Sequence, residues 1–261
     1  MAGDVGLFGP GSVTWRIHGD PSMIVGGLRS LLAQALNPRA MAGVDQHSDF
    51  RVDPWGRLQR TAAYVAATTF GDTETAVSAG AAVQAVHRRV RGVDPHTGEA
   101  YSAADHDLLA WVHDVEVHSF LVAYRRYGGH VSDRDADRYV AEMVRAAELV
   151  GLSADEVPHD LATLRARLRS ASIELSDAAV RGMRFILAPP MPALARPLYA
   201  IPTAAAVSLL PRQVRRLYGL PWFPPAEPAV RLTTYGLLRA LNLALPDPPA
   251  LREARARLAA A

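Results

Sequence analysis

The chain has 261 residues, 49% of them hydrophobic, enough to bury a substantial core within one domain spanning residues 1–261. Its 28 basic residues, every one an arginine, nearly balance 26 acidic ones for a formal net charge of +2, which lacks the basic footprint of a nucleic-acid binder. There is no cysteine, so disulfides, thiolate catalysis and cysteine-ligated metal or iron–sulfur centres are excluded.

The N-terminal stretch MAGDVGLFGPGSVTWRIHGD lacks the basic and apolar regions of a signal peptide, and no run reaches the roughly 18 apolar residues of a membrane span. A cytoplasmic protein is expected, with PLYAIPTAAAVSLLP able to lie peripherally against a membrane or a greasy ligand. The spacing of Ile24, Leu28, Leu31, Leu32 and Leu36 predicts a helix over 21–36, ended by Asn37-Pro38. A second helix is predicted from about Arg57 to Phe70. A third is capped by Asp72 or Thr73 and runs to Arg91 before Gly92, with Val83, Val86 and Val90 as its apolar stripe. GVDPHTGEAY reads as a small hairpin, and Ser102 with Asp105 as a capping box before a helix over 103–127. Further helices are predicted near 132–150, 154–171, 176–187, 210–217 and 229–243. The proline-rich APPMPALARP and LPWFPPAEP read as ordered connectors, and no strand pattern or internal repeat stands out. The fold class is all-α.

Several chemistries lack their residues. A di-iron bundle needs two E-x-x-H units on helices, whereas EVPH at 156–159 contains a proline and belongs at a turn. There is no G-x-S-x-G elbow, P-loop or G-x-G-x-x-G. His113 and His118 are five apart and poorly placed for one metal on one helical face. His87, four residues after Val83, lies on an apolar face, where a hydrogen-bonded core residue and a ligand are both open readings. On the preceding helix Arg57 and Thr61 share a face with Tyr64 one turn further, and a guanidinium and hydroxyl beside a core require a polar or anionic partner.

The succession HSDFRVDPWGRLQRTAAYV, FGD, AVHRRVRG and YSAADHDLLAWVHDVEVHSFLVAYRRY resembles the family of latex-clearing protein (rubber oxygenase) and the MpaB oxygenases, from about Trp15 to RRLYGLPW near residue 222. The resemblance implies an all-α protein that binds haem b and uses dioxygen on carbon–carbon double bonds of isoprenoid chains. It assigns His87 as the iron ligand and Arg57 and Thr61 as distal polar residues, with Arg60 where the rubber oxygenase has a lysine. Arg88, Arg89 and Arg91 follow the ligand, where they either reach haem propionates or form a solvated helix end. His113 matches a family position without an assigned role. A glutamate that the rubber oxygenase carries upstream of the arginine motif is replaced by Met41, with Asp45, His47 and Asp49 nearby. The resulting expectation is a haem b-dependent oxygenase that takes dioxygen and a small apolar substrate. The alternatives are a non-catalytic haem or lipid carrier and a purely structural helical protein.

Overall fold

The computed structural model describes residues 4–48, 52–220 and 223–260. Among them are thirteen α-helices and one two-stranded sheet, so the fold is all-α. In chain order the elements are α1 (Val13–His18), α2 (Met23–Gln34), α3 (Pro38–His47), α4 (Pro54–Phe70), α5 (Thr73–His87), β1 (Arg91–Val93), β2 (Ala100–Ser102), α6 (His106–Ala123), α7 (Asp133–Leu149), α8 (Leu161–Ser170), α9 (Asp177–Leu187), α10 (Arg196–Leu209), α11 (Arg212–Leu217), α12 (Glu227–Ala244) and α13 (Pro249–Ala259).

Local chemistry explains most of these boundaries. Asp53, Asp72, Ser132, Asp160 and Ser176 each accept a backbone N–H of the first turn they cap. The third predicted helix is shorter than its apolar spacing suggests. It ends at His87, because Arg91–Val93 leaves the helical path to pair antiparallel with Ala100–Ser102, forming the hairpin expected at GVDPHTGEAY. Val86 is consequently 57% exposed and is no part of a core stripe. The predicted capping box is displaced: Asp105 accepts the Ser102 N–H at 2.9 Å, but helix α6 starts only at His106 and ends in a π-helical turn, Tyr124–Gly128. EVPH falls at a turn, as its proline requires, and α8 begins after it. The connector APPMPALARP gives way to helix from Arg196, and α10 carries Pro202 within it.

Helix α6 is the axis of the core. Helix α2 crosses it at Gly26, where a Cβ would stand 2.9 Å from the Phe120 ring, 3.2 Å from its Cα and 3.3 Å from the Ser119 carbonyl oxygen. Helices α7 and α8 cover another side of α6, and α1 joins α7. Trp15 of α1 donates from Nε1 to the Thr69 carbonyl at 2.9 Å and meets Phe70 edge-on, which ties α4 to this core. The buried His18 bridges Thr69 Oγ1 (2.8 Å) and Tyr139 OH (2.9 Å), so α1, α4 and α7 share one hydrogen-bonded unit. Helix α4 packs on α5, α1 and α13, and α5 packs on α7, with Gly80 against the Leu149 backbone. Neither α4 nor α5 makes more than grazing contact with α6.

Close approach at Gly26 makes a direct prediction. Gly26→Ala adds a methyl that neither backbone can accommodate, and is expected to destabilise the fold by about 1–3 kcal/mol. At Gly27 a Cβ meets nothing within 4 Å, so Gly27→Ala should stabilise by roughly 0.5–1 kcal/mol through helix propensity. Urea denaturation of the two variants checks both signs.

Candidate functional site

Glu116 of α6 bears electrostatically on Tyr64 of α4, which brings this part of α6 near the α4–α5 pair. On α4, Arg57, Thr61, Tyr64 and Thr68 recur at helical spacing, yet burial separates them. Arg57 is half-buried, and its Nη1 donates to Ser48 Oγ at the end of α3. Burial first, and the neighbouring Arg60 charge second, hold its pKa below that of a free guanidinium. The Tyr64 phenol is pushed well up, mainly by burial and further by the carboxylate of Glu116. Thr61 lies on the surface and its hydroxyl donates back to the Arg57 carbonyl at 3.1 Å. Arg60 is also exposed, 3.2 Å from Asp53. The structure thus turns Arg57 and Tyr64 inward and leaves Thr61 and Arg60 outside.

His87 is the last residue of α5 and half-buried. Burial lowers its pKa, so the ring is neutral near neutral pH. Its Nδ1 is buried and has no hydrogen-bond partner among the described residues. Arg88 caps the helix, Arg88 and Arg91 are both exposed, and Arg91 Nε donates to the Arg88 carbonyl at 3.1 Å. The hairpin behind them is fastened to α3: Gln46 Nε2 donates to the Val93 carbonyl and His47 Nε2 to the Arg91 carbonyl, each at 3.0 Å.

From α6 come His113 and Glu116, one turn apart on the same side. Burial drives the His113 pKa down to about 4, with Arg167 adding to the effect. Glu116 is more unusual. Burial pushes its carboxyl up to about 7, and its charge is felt by both Tyr64 of α4 and Tyr139 of α7. The sequence reading missed Glu116. Its one visible signal is an acidic side chain set between Val115 and Val117, one turn after His113.

The candidates around the missing upstream glutamate have other uses. Met41 is buried in the core, where its Sδ and Cε would crowd a Cβ at Gly182, and it offers no base. Asp45 is paired with Arg181 at 2.6 Å, and His47 holds the hairpin. Asp49 lies outside the described residues. No group of three or more His, Cys, Asp or Glu side chains that could hold a metal ion occurs among the described residues.

Residues 15–245 match the family model described as ER-bound oxygenase mpaB/B'/Rubber oxygenase, catalytic domain. The chain belongs to that family. As a member of the mpaB/rubber oxygenase family it is an oxidoreductase of the oxygenase class, using dioxygen and a substrate. No curated protein and no solved structure matches it significantly. No helix among the described residues is long and apolar enough to cross a membrane.

The buried ionisable groups of this family member dictate its acid stability. His18, His113 and His118 have pKa values pressed down to about 3, about 4 and about 3, in each case mainly by burial. Below about pH 6.5 the unfolded chain takes up protons that the folded one refuses, so all three lower stability as pH falls. Glu116 acts oppositely: its raised pKa means the folded state holds a proton that the unfolded chain has released between about 4.5 and about 7. His87, lowered in the same way, joins the histidines and Asp114, raised by burial, joins Glu116; the four histidines outweigh the two carboxyls, and stability is expected to fall from about pH 6.5 to 4. Glu116→Gln should steepen this acid loss while raising stability above pH 7, which urea midpoints across the pH range will read.

Proposed function

We propose that this oxygenase depends on haem b and acts on a small apolar substrate. The observation that carries the reading is His87: a neutral imidazole, on the helix next to Arg57 and Tyr64, with a buried Nδ1 that has no partner among the described residues. His87 would hold the haem through its imidazole, and a lone histidine would suit such a group where a protein-only metal site would need a cluster. When bound, haem supplies the activation of dioxygen.

The residues around His87 divide the remaining work. Arg88 and Arg91, exposed at the end of α5, present guanidinium groups that fit the carboxylates of the haem edge. Arg57 keeps a half-buried positive charge facing the site and stabilises negative charge there, and Thr61 fixes the carbonyl of the same turn. Arg60 cannot bind iron, because a guanidinium stays protonated and has no free lone pair; its pairing with Asp53 keeps it at the rim. Tyr64, held protonated, offers a phenolic O–H. Glu116, with a pKa near neutrality, holds or releases a proton inside the site and takes the part that Met41 cannot.

Two measurements test this assignment. Protein purified from haem-supplemented cells should show a haem spectrum at one equivalent, and His87→Ala should lose it while keeping its helical circular dichroism. Full haem in the folded variant overturns the reading and passes the role to His113. Arg57→Ala should retain haem yet consume oxygen with an isoprenoid about tenfold to a thousandfold more slowly, the usual effect of removing a charge-stabilising donor. Unchanged turnover reduces Arg57 to a structural tie to Ser48.

A further inference from the structure

Between residues 188 and 246 large apolar side chains stand in water. Leu194 is 96% exposed, Leu243 80%, Leu245 60% and Leu198 55%. These leucines gather at one end of the α10–α12 pair. The first turns of α10 lie beside the last turns of α12, since Leu198 and Tyr199 line one groove with Leu237 and Leu241. That groove holds about 370 Å³ and continues to Met191 and to Trp55 at the start of α4. Trp55 meets Tyr199 edge-on at 6.3 Å and donates from Nε1 to the Pro190 carbonyl at 3.4 Å.

Charge identifies what covers this end. At this end the exposed charges beside the leucines are Arg196 and Arg239, and the nearest acidic residue in sequence, Asp247, is already paired with Arg255. Arg196 sits between Leu194 and Leu198 in sequence, and Arg239 lies one turn before Leu243 on the outer face of α12, with Leu232 and Tyr235. Isolated exposed leucines need no partner, but a cluster at the mouth of an apolar groove marks a contact surface. A second copy of the chain would set these arginines against each other. A surface of anionic headgroups over acyl chains matches both the cationic rim and the leucines.

We propose that this end of the α10–α12 pair docks on an anionic lipid surface, with Leu194, Leu198, Leu243 and Leu245 in the boundary between headgroups and acyl chains. The docking rests on exposure and charge alone. Its consequence for catalysis, which rests on the oxygenase reading above, is a route for apolar substrate from lipid along the groove to Trp55, two residues from Arg57.

The full-length protein should float with phosphatidylcholine vesicles that contain phosphatidylglycerol, and much less with phosphatidylcholine alone or at high salt. The double variant Leu194→Asp, Leu243→Asp should bind at least about tenfold more weakly, since leucine burial is lost twice, with an unchanged melting temperature because both side chains are solvated. Arg196→Gln with Arg239→Gln should lose only the part that depends on phosphatidylglycerol. Absence of vesicle binding, equal binding by the leucine variant, or a dimer in sedimentation that the leucine variant dissociates would overturn the proposal. Vesicle binding requires no haem and no turnover, so its failure and a failure of the haem assignment are read separately.

Discussion

At Gly26 the backbone of α2 lies so close to Phe120 that even one methyl would meet the ring and the peptide behind it, and this contact determines which sides of α6 remain for everything else. Helices α2, α7 and α8 all pack on α6, where His113 feels the charge of Arg167 on α8 and Glu116 acts on both Tyr139 of α7 and Tyr64 of α4. Helices α4 and α5 then attach around α6 through α1, α7 and α13, hardly touching it.

Two buried basic groups show how the interior accommodates polarity, one neutral and one bonded to oxygen. His18, between Thr69 and Tyr139, is neutral and has both nitrogens engaged. Arg29 is buried as well, with its pKa brought down to about 10, but the Leu209 carbonyl and Ser119 Oγ accept from it at 3.0 and 2.5 Å. His87 keeps a buried Nδ1 without a partner among the described residues, as do the hydroxyls of Ser22, Tyr127 and Thr234, and Glu116 is buried enough for its carboxyl to be pushed up to about 7. Burying an unbonded polar group costs a few kcal/mol, and folds keep such groups mainly where a ligand or a reaction uses them.

Much of this was legible in one dimension and some of it could not be. Asp72 announces its helix because a carboxylate before Thr-Glu-Thr has the first-turn N–H groups to satisfy, and the structure shows that bond to Thr75. The far end of the same helix misleads, because Val90 continues the apolar spacing while the actual stop is imposed by pairing with residues ten positions away. Helix α10 was hidden by its prolines: Pro197 sits in the first turn, where no N–H is missed, and Pro202 is buried within the helix. Spacing correctly grouped Arg57, Thr61 and Tyr64 on α4. It could not reveal that Thr61 faces water or that Glu116 approaches Tyr64, since both depend on how α4 meets its neighbours.

If His87 holds haem as proposed, the site would be of a kind that searches by ligand spacing overlook. Zinc and di-iron centres need several protein donors, and the geometry of those donors imprints a recurring pattern on the sequence. A haem would bring most of its donors with it, so the protein's own contribution would shrink to one imidazole. Small residues at Ala76 and Gly80 let α5 sit against α7 with His87 at its end, while the hairpin and α3 brace the turn beyond. The position of His87 is thus set by contacts spread over four elements, none of which is a metal-binding motif, and a local motif alone would not have singled it out.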